Sequence, residues 1–113
     1  MTRRILLTLA MAVAPLFGAD VTGNWTFAVD LGGQSGSPKF RFTQKGESLT
    51  GTYSGQLGDA KLEGTVKGDA ITFRFETSGI TVTYSGSVVS ATEMKGKADY
   101  GGQADGTWTA KKD

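Results

Sequence analysis

Residues 60–76 of the chain read AKLEGTVKGDAITFRFE, and the pattern of this stretch decides the fold. On either side of Gly68-Asp69, every second residue is apolar, aromatic or glycine, and nearly all the residues between them are polar or charged. Successive side chains of a β-strand point to opposite faces of the sheet, so each half is typical of a strand with one dry face. The Gly-Asp pair between the two runs indicates a two-residue hairpin turn. Such a turn would place Gly64 opposite Phe73.

The same alternation covers the rest of the chain after residue 20. All ten aromatic residues beyond that point fall on the dry parity of their segments. We predict strands at 23–31, 39–44, 48–54, 60–67, 70–76, 80–88, 93–100 and 105–111. Turn signals separate them at Lys45-Gly46, Gly58-Asp59, Gly68-Asp69, Ser78-Gly79 and Gly101-Gly102. Eight sequential strands can close and remove both sheet edges, so the predicted fold is all-β, an eight-stranded antiparallel up-and-down meander β-barrel.

The tetrapeptide Gly-x-Trp-Thr occurs in both the first and the last predicted strand. We predict that these two strands pair antiparallel and close the barrel. Two opposed indoles would crowd each other, so we expect Trp25 to lie over Gly106 and Trp108 to lie over Gly23. A glycine facing into a barrel permits a bend and lets a neighbouring aromatic ring cover it.

The start of the chain has a different composition. Two basic residues, an apolar run over 5–17 and a pair of small residues have the order of a secretory signal peptide. A helix that spans a bilayer needs about 20 apolar residues, so this run predicts no membrane span. We therefore expect a signal peptide over 1–19, a single barrel domain over 20–113, and a secreted or periplasmic bacterial protein. The cleavage bond, and the choice between the Sec and twin-arginine routes, stay open.

Composition excludes several classes of function. Of the 12 basic residues two lie in the leader, and with 11 acidic residues the remainder has a net charge near −1. Without a basic excess, nucleic-acid binding is not expected. The chain has no histidine and no cysteine, so the usual zinc and copper ligands and any disulfide are missing, and we expect no metal and no cofactor. The carboxylates fall in turns or on the outward parity, so we predict that the protein is not an enzyme.

The two ends of the predicted barrel differ. The end that carries both termini receives Trp25, Trp108, Tyr84 and Met94, which we expect to plug it. The opposite end receives polar, glycine-rich loops, with inward tyrosines just below them. One sealed end and one loose amphipathic mouth is a layout that binds a small, partly apolar molecule. The candidate ligand-binding residues are Tyr53, Tyr100, Phe40, Phe75, Val29 and Ile80, with Gln34, Gln56 and Gln103 as a polar rim.

Two short motifs carry a family resemblance. Gly23-x-Trp25 at the start of an eight-stranded meander resembles the calycin group, which contains the lipocalins, the fatty-acid-binding proteins and the avidins. The stretch 49–53, LTGTY, is similar to the avidin segment whose tyrosine binds biotin, and Tyr53 is the matching position. Phe27 stands where that family has a biotin-binding asparagine, so biotin is not expected. The chain also resembles small secreted bacterial domains of lipocalin-like shape, and the resemblance implies a calycin-type barrel.

Other functions stay open at this point. The aromatic residues could fill the interior completely, which would leave no cavity. A filled barrel would favour a module that binds or inhibits a secreted hydrolase through its loops or through a flexible N-terminal segment at 20–22. A structural role in the cell envelope is a further alternative. We expect a monomer in each case.

Overall fold

The computed structural model describes residues 20–113, so the predicted signal peptide lies outside the described residues. The described chain is all-β and antiparallel. Its strands are β1 (Gly23–Leu31), β2 (Gln34–Gly36), β3 (Lys39–Lys45), β4 (Ser48–Gly55), β5 (Gly58–Lys67), β6 (Ala70–Thr77), β7 (Ile80–Ser90), β8 (Glu93–Tyr100) and β9 (Ala104–Lys112). Residues 20–113 contain no helix long and apolar enough to cross a membrane.

The strands form one closed barrel. From β3 to β9 each strand pairs with the next along the chain, and β1 pairs with both β3 and β9. Eight strands thus close the wall, as the alternation predicts, and β2 is an extra short strand beside β1. The hairpin around Gly68 is confirmed, because Gly64 faces Phe73 across the β5–β6 ladder.

The link after β1 is more ordered than the sequence predicted. Gly32 and Gly33, with φ angles of 64° and 98°, turn the chain back so that Gln34 pairs with Leu31. β2 and β3 then run along β1 in one register, and the backbone N–H of Phe27 donates to the Pro38 carbonyl between them at 3.0 Å. Proline has no N–H to donate to a ladder. β2 and β3 therefore form one stretch of extended chain beside β1, and Pro38 interrupts its hydrogen bonding.

A second turn is tighter than expected. The predicted turn at Gly58-Asp59 is wrong, because Gly55 pairs with Gly58 and the turn residues are Gln56 and Leu57. Gly58 takes a φ of 102° as the first residue of β5. The positive φ that makes glycine a turn signal is used at the end of this hairpin, which moves Leu57 to its tip.

The closing register also differs from the prediction. β1 and β9 do pair, but Trp25 faces Lys112 and Trp108 faces Val29, so neither indole lies over the predicted glycine. The stagger at closure accumulates over every hairpin of a barrel and is tied to strand number and tilt. The similarity of the two tetrapeptides therefore does not determine which residues face each other at closure. Trp108 instead faces Gly96 of β8, where an inward side chain is absent.

Aromatic side chains fill the middle of the barrel. Phe27 is fully buried and lies 4.3 Å from Phe40 and 4.8 Å from Trp108 between ring centroids. Tyr84 and Trp108, which the sequence placed at the sealed end, belong to this central layer, because the tilt of the strands carries them towards mid-height. The expectation of an aromatic interior is thus met at mid-barrel.

The end that carries the termini is closed by Trp25 and by the N-terminal segment. The Trp25 indole N–H donates to the Val21 carbonyl at 2.9 Å, and Val21 is 1% exposed. The Val21 N–H donates to the Gln44 side-chain oxygen at 2.9 Å. The predicted flexible segment at 20–22 is wrong, since its central residue is buried in the barrel end.

Candidate functional site

A cavity of about 810 Å³ opens at the end opposite the termini. Ligand sites are commonly clefts of about 300–1,000 Å³. Its walls come from the ends of β1, β4, β7, β8 and β9, from β2, and from the turn after β4. Within the described chain β2 pairs with β1 alone, so no ladder joins β2 to the β4–β5 turn on the other side of the opening. The interruption at Pro38 therefore leaves a gap in the hydrogen-bonded wall of the barrel at its mouth.

The structure brings together seven of the nine predicted site residues. The cavity-lining members of that set are Val29, Ile80, Tyr53, Tyr100, Gln34, Gln56 and Gln103. Phe40 and Phe75, which the sequence assigned to the apolar wall, do not line the cavity. Both are 2% exposed and lie beneath Tyr53, whose ring stacks on Phe75 at a centroid distance of 4.3 Å. The strand parity gave the correct face of the sheet but not the depth along the strand.

The Tyr53 hydroxyl reaches the β4–β5 turn at the edge of the cavity. Its hydroxyl accepts a hydrogen bond from the Leu57 N–H at 3.4 Å. A Cβ added at Gly55 would lie 2.5 Å from the same oxygen. The absence of a side chain at Gly55 therefore lets the tyrosine reach the β4–β5 turn, and the hydrogen bond ties that turn to the barrel.

Two tyrosine hydroxyls meet at the bottom of the cavity. The Tyr84 and Tyr100 oxygens are 2.7 Å apart, with Tyr84 fully buried and Tyr100 partly exposed at the cavity surface. Burial raises the pKa of Tyr84 above its ordinary value, and its hydrogen bond with Tyr100 raises it further. Burial also raises the pKa of Tyr100, and the hydrogen bond from Tyr84 offsets part of that rise. Both hydroxyls are therefore neutral at physiological pH.

The described lining residues carry no ionisable group other than the hydroxyls of Tyr53 and Tyr100. Apart from these hydroxyls, the polar groups of the lining are serine hydroxyls, glutamine amides and backbone. Asp30, which lies close to the mouth in sequence, accepts a hydrogen bond from the Gly33 N–H at 3.0 Å and serves the β1–β2 turn. Residues 20–113 contain no group of three or more Asp, Glu, His or Cys side chains able to hold a metal ion.

Eight further residues line the cavity that were not among the predicted site residues. The additional residues are Leu31, Ser35, Gly36, Ser37, Pro38, Gly55, Leu57 and Ala104. Leu31 lies on the dry parity of β1 and could have been found by extending the alternation to the end of the strand. Gln34 of β2 was predicted as part of the polar rim, whereas Ser35 and Gly36 gave no separate signal, because they fell in a segment predicted as a loop. The role of the Tyr84 hydroxyl was missed because the residue was placed at the opposite end.

Comparison with known proteins supports the fold. No family model and no curated protein matches the chain. Among solved structures, a redesigned β-barrel superposes with a TM-score of 0.70 at 15% identity, covering 82% of this chain and 91% of its own. The redesigned β-barrel mFAP0, bound to DFHBI, gives 0.63 at 16% identity over 81% of this chain and 98% of its own. EF1p2_mFAP2b, also bound to DFHBI, gives 0.63 at 17% identity over 82% and 94%. At these identities the similarity establishes a shared barrel fold.

Proposed function

We propose that this protein binds a small, partly apolar molecule without covalent chemistry in the cavity at the barrel mouth. The observation that supports this proposal most directly is the change of packing along the barrel axis. The middle and the end with the termini are filled by buried side chains, whereas the opposite end holds a cavity of about 810 Å³ with apolar and uncharged polar walls. Two barrels of similar fold bind the small molecule DFHBI, which supports the same use of this architecture.

The remaining parts of the proposal rest on sequence. The leader pattern over 1–19 supports export to the periplasm or the medium, and the Gly23-x-Trp25 motif supports a calycin-type relationship. The proposed activity is binding rather than catalysis, and the apolar and uncharged polar groups of the described lining residues suit noncovalent binding of a neutral molecule. A closed barrel has few free edges, which supports a monomer.

The test uses Nile red, an uncharged dye whose fluorescence rises in apolar surroundings. We expect saturable binding together with a rise in the thermal unfolding midpoint, since a ligand that binds only the folded state adds about 2.7 kcal/mol at a hundredfold excess over its Kd. The variant Gly36→Phe places a ring in the cavity at a position where an added Cβ meets no atom within 4 Å. It should fold normally and weaken dye binding at least tenfold.

The matched control is Val89→Phe, which adds a ring at a residue that is 54% exposed and outside the cavity. Dye affinity should be unchanged in this variant. No saturable binding to the wild-type protein, or equal binding by wild type and folded Gly36→Phe, would contradict the proposal.

A further inference from the structure

The hydrogen bond between the two tyrosines has a defined direction. Tyr84 is fully buried, and in the described chain the Tyr100 oxygen is the protein acceptor placed within reach of its hydroxyl. Buried donors in proteins are paired, and an unpaired one is costly. Donation from Tyr100 to Tyr84 would leave the Tyr84 proton buried without a protein acceptor. Tyr84 therefore donates to Tyr100.

This direction leaves the Tyr100 proton free to point into the cavity. The Tyr100 oxygen accepts from Tyr84, so its own O–H serves as a donor towards whatever occupies the space that Tyr100 lines. A hydroxyl that already accepts a hydrogen bond is a stronger donor, because hydrogen bonds in a chain polarise one another. The floor of the cavity thus presents one directed donor among apolar surfaces from Val29, Ile80 and Tyr53.

The same walls disfavour a charged occupant. No lysine or arginine lines the cavity, and no aspartate or glutamate does so either, within the described residues. An ion that leaves water for such a site loses hydration without gaining a counter-charge. A neutral group with an oxygen acceptor loses less, because Tyr100 replaces one of its hydrogen bonds to water.

We propose that the ligand is an uncharged molecule with an apolar body and a carbonyl oxygen, and that the Tyr100 hydroxyl donates a hydrogen bond to that oxygen while Tyr84 fixes its direction. This inference rests on the proposed function of the cavity and names the chemical class that the cavity takes. Tyr100 is the residue that contacts the ligand, and Tyr84 is a positioning residue.

The test compares three matched compounds, namely methyl naphthyl ketone, ethylnaphthalene and naphthoate, by calorimetric titration of wild type, Tyr100→Phe and Tyr84→Phe. Naphthoate should bind wild type at least tenfold more weakly than the ketone. One hydrogen bond corresponds to roughly a threefold to tenfold change in affinity, so Tyr100→Phe should weaken ketone binding by about that factor. Ethylnaphthalene should bind wild type and Tyr100→Phe with affinities that agree within twofold. Tyr84→Phe should weaken ketone binding less than Tyr100→Phe does, since Tyr100 keeps its donor.

Two controls keep the test interpretable. Thr81→Val removes an exposed hydroxyl on β7 outside the cavity and should leave all three affinities unchanged. Tyr100→Phe leaves the buried Tyr84 hydroxyl without its acceptor, so the double variant Tyr84→Phe/Tyr100→Phe provides a second protein that lacks the donor if the single variant unfolds.

The outcomes separate this inference from the function on which it rests. If Nile red binds in a Gly36→Phe-sensitive manner but the ketone is no better than naphthoate, or is unaffected by the loss of Tyr100, the ligand class is wrong and the binding function stands. If Nile red and all three naphthalenes fail to bind, both are wrong. A ketone-specific loss in the Tyr100→Phe variant supports both.

Discussion

Gly64 and Phe73 face each other across the β5–β6 ladder, and the backbone there is too close for a side chain on the glycine. A Cβ at Gly64 would overlap the Thr72 carbonyl oxygen and lie 2.6 Å from the Phe73 Cα. The atoms in the way are backbone, so they cannot move aside as a flexible side chain can. Gly64→Ala should lower the free energy of unfolding by about 1–3 kcal/mol, measured by urea denaturation.

Gly36→Ala is the matched control for that substitution. An added Cβ at Gly36 meets no atom within 4 Å, and its φ is not in the left-handed region. The control should be neutral or slightly stabilising, because alanine restricts the unfolded chain more than glycine does. Similar losses of unfolding free energy in Gly64→Ala and Gly36→Ala would mean that the close backbone contacts at Gly64 do not determine the destabilisation.

The residues of the site show what parity can and cannot predict. Alternation assigned Val29, Tyr53 and Tyr100 to the inner face, and their positions near strand ends placed them at the mouth. The same parity gave Phe75 an inward side chain, yet its height in the barrel depends on strand tilt and on the packing of its neighbours. The hydrogen bond of Tyr84 to Tyr100 joins residues on two strands and depends on the register between them.

At the scale of the element, the β6–β7 turn has an identifiable local strain. Ser78 takes a φ of 53°, a left-handed conformation that is uncommon for residues other than glycine, and Gly79 follows with a φ of 80°. Two successive positive φ values define the type I′ hairpin turn, whose preferred sequence is Asn-Gly. Ser78→Asn should therefore raise the unfolding free energy by about 1 kcal/mol or less, recovering part of the cost of a left-handed residue.

A destabilising substitution at the next residue of the same turn supplies the comparison. Gly79→Ala forces a Cβ into a left-handed conformation and should destabilise the protein by about 1–2 kcal/mol. Chemical denaturation of the two variants beside wild type measures both effects. A loss of stability in Ser78→Asn would show that the serine is held there by something other than backbone geometry.

The hairpin turns were predictable to different degrees, because their glycines occupy different positions relative to the bend. The turns at Gly68 and Gly79 follow directly from their glycines and from the alternation on both sides. The turn at Gln56-Leu57 does not, because its glycines lie at the strand ends and either could mark the bend. β2 was missed because Pro38 ends the alternation and makes the preceding residues resemble a loop.

At the scale of the whole molecule, barrel closure is a collective property. The register between β1 and β9 is the sum of all the other registers, so a one-residue difference in any hairpin would change it. Sequence alone therefore predicted that the ends meet but not which residues face each other. The division into a filled half and an open half is collective in the same way, because it depends on the height at which each aromatic ring lies.

This division predicts a gradient of local stability along the barrel axis. β6 and β7 pair on both sides and bury Phe73 and Tyr84, whereas β2 pairs with β1 alone. Local opening is easiest where few backbone hydrogen bonds and buried contacts must break. In native-state hydrogen exchange, the Gly36 amide should exchange on the order of a hundredfold faster than the amides of Phe73 and Tyr84, which should exchange only with global unfolding.

Ligand addition should change this gradient at the mouth alone. A compound bound in the cavity contacts β2 and the β4–β5 turn, so saturating methyl naphthyl ketone should slow exchange at Gly36 and Leu57 beyond its effect on global stability. The amides of the end that carries the termini, such as that of Val21, should follow the global change only. Exchange that slows uniformly along the barrel would place the bound compound elsewhere, because protection through global stability has no spatial preference.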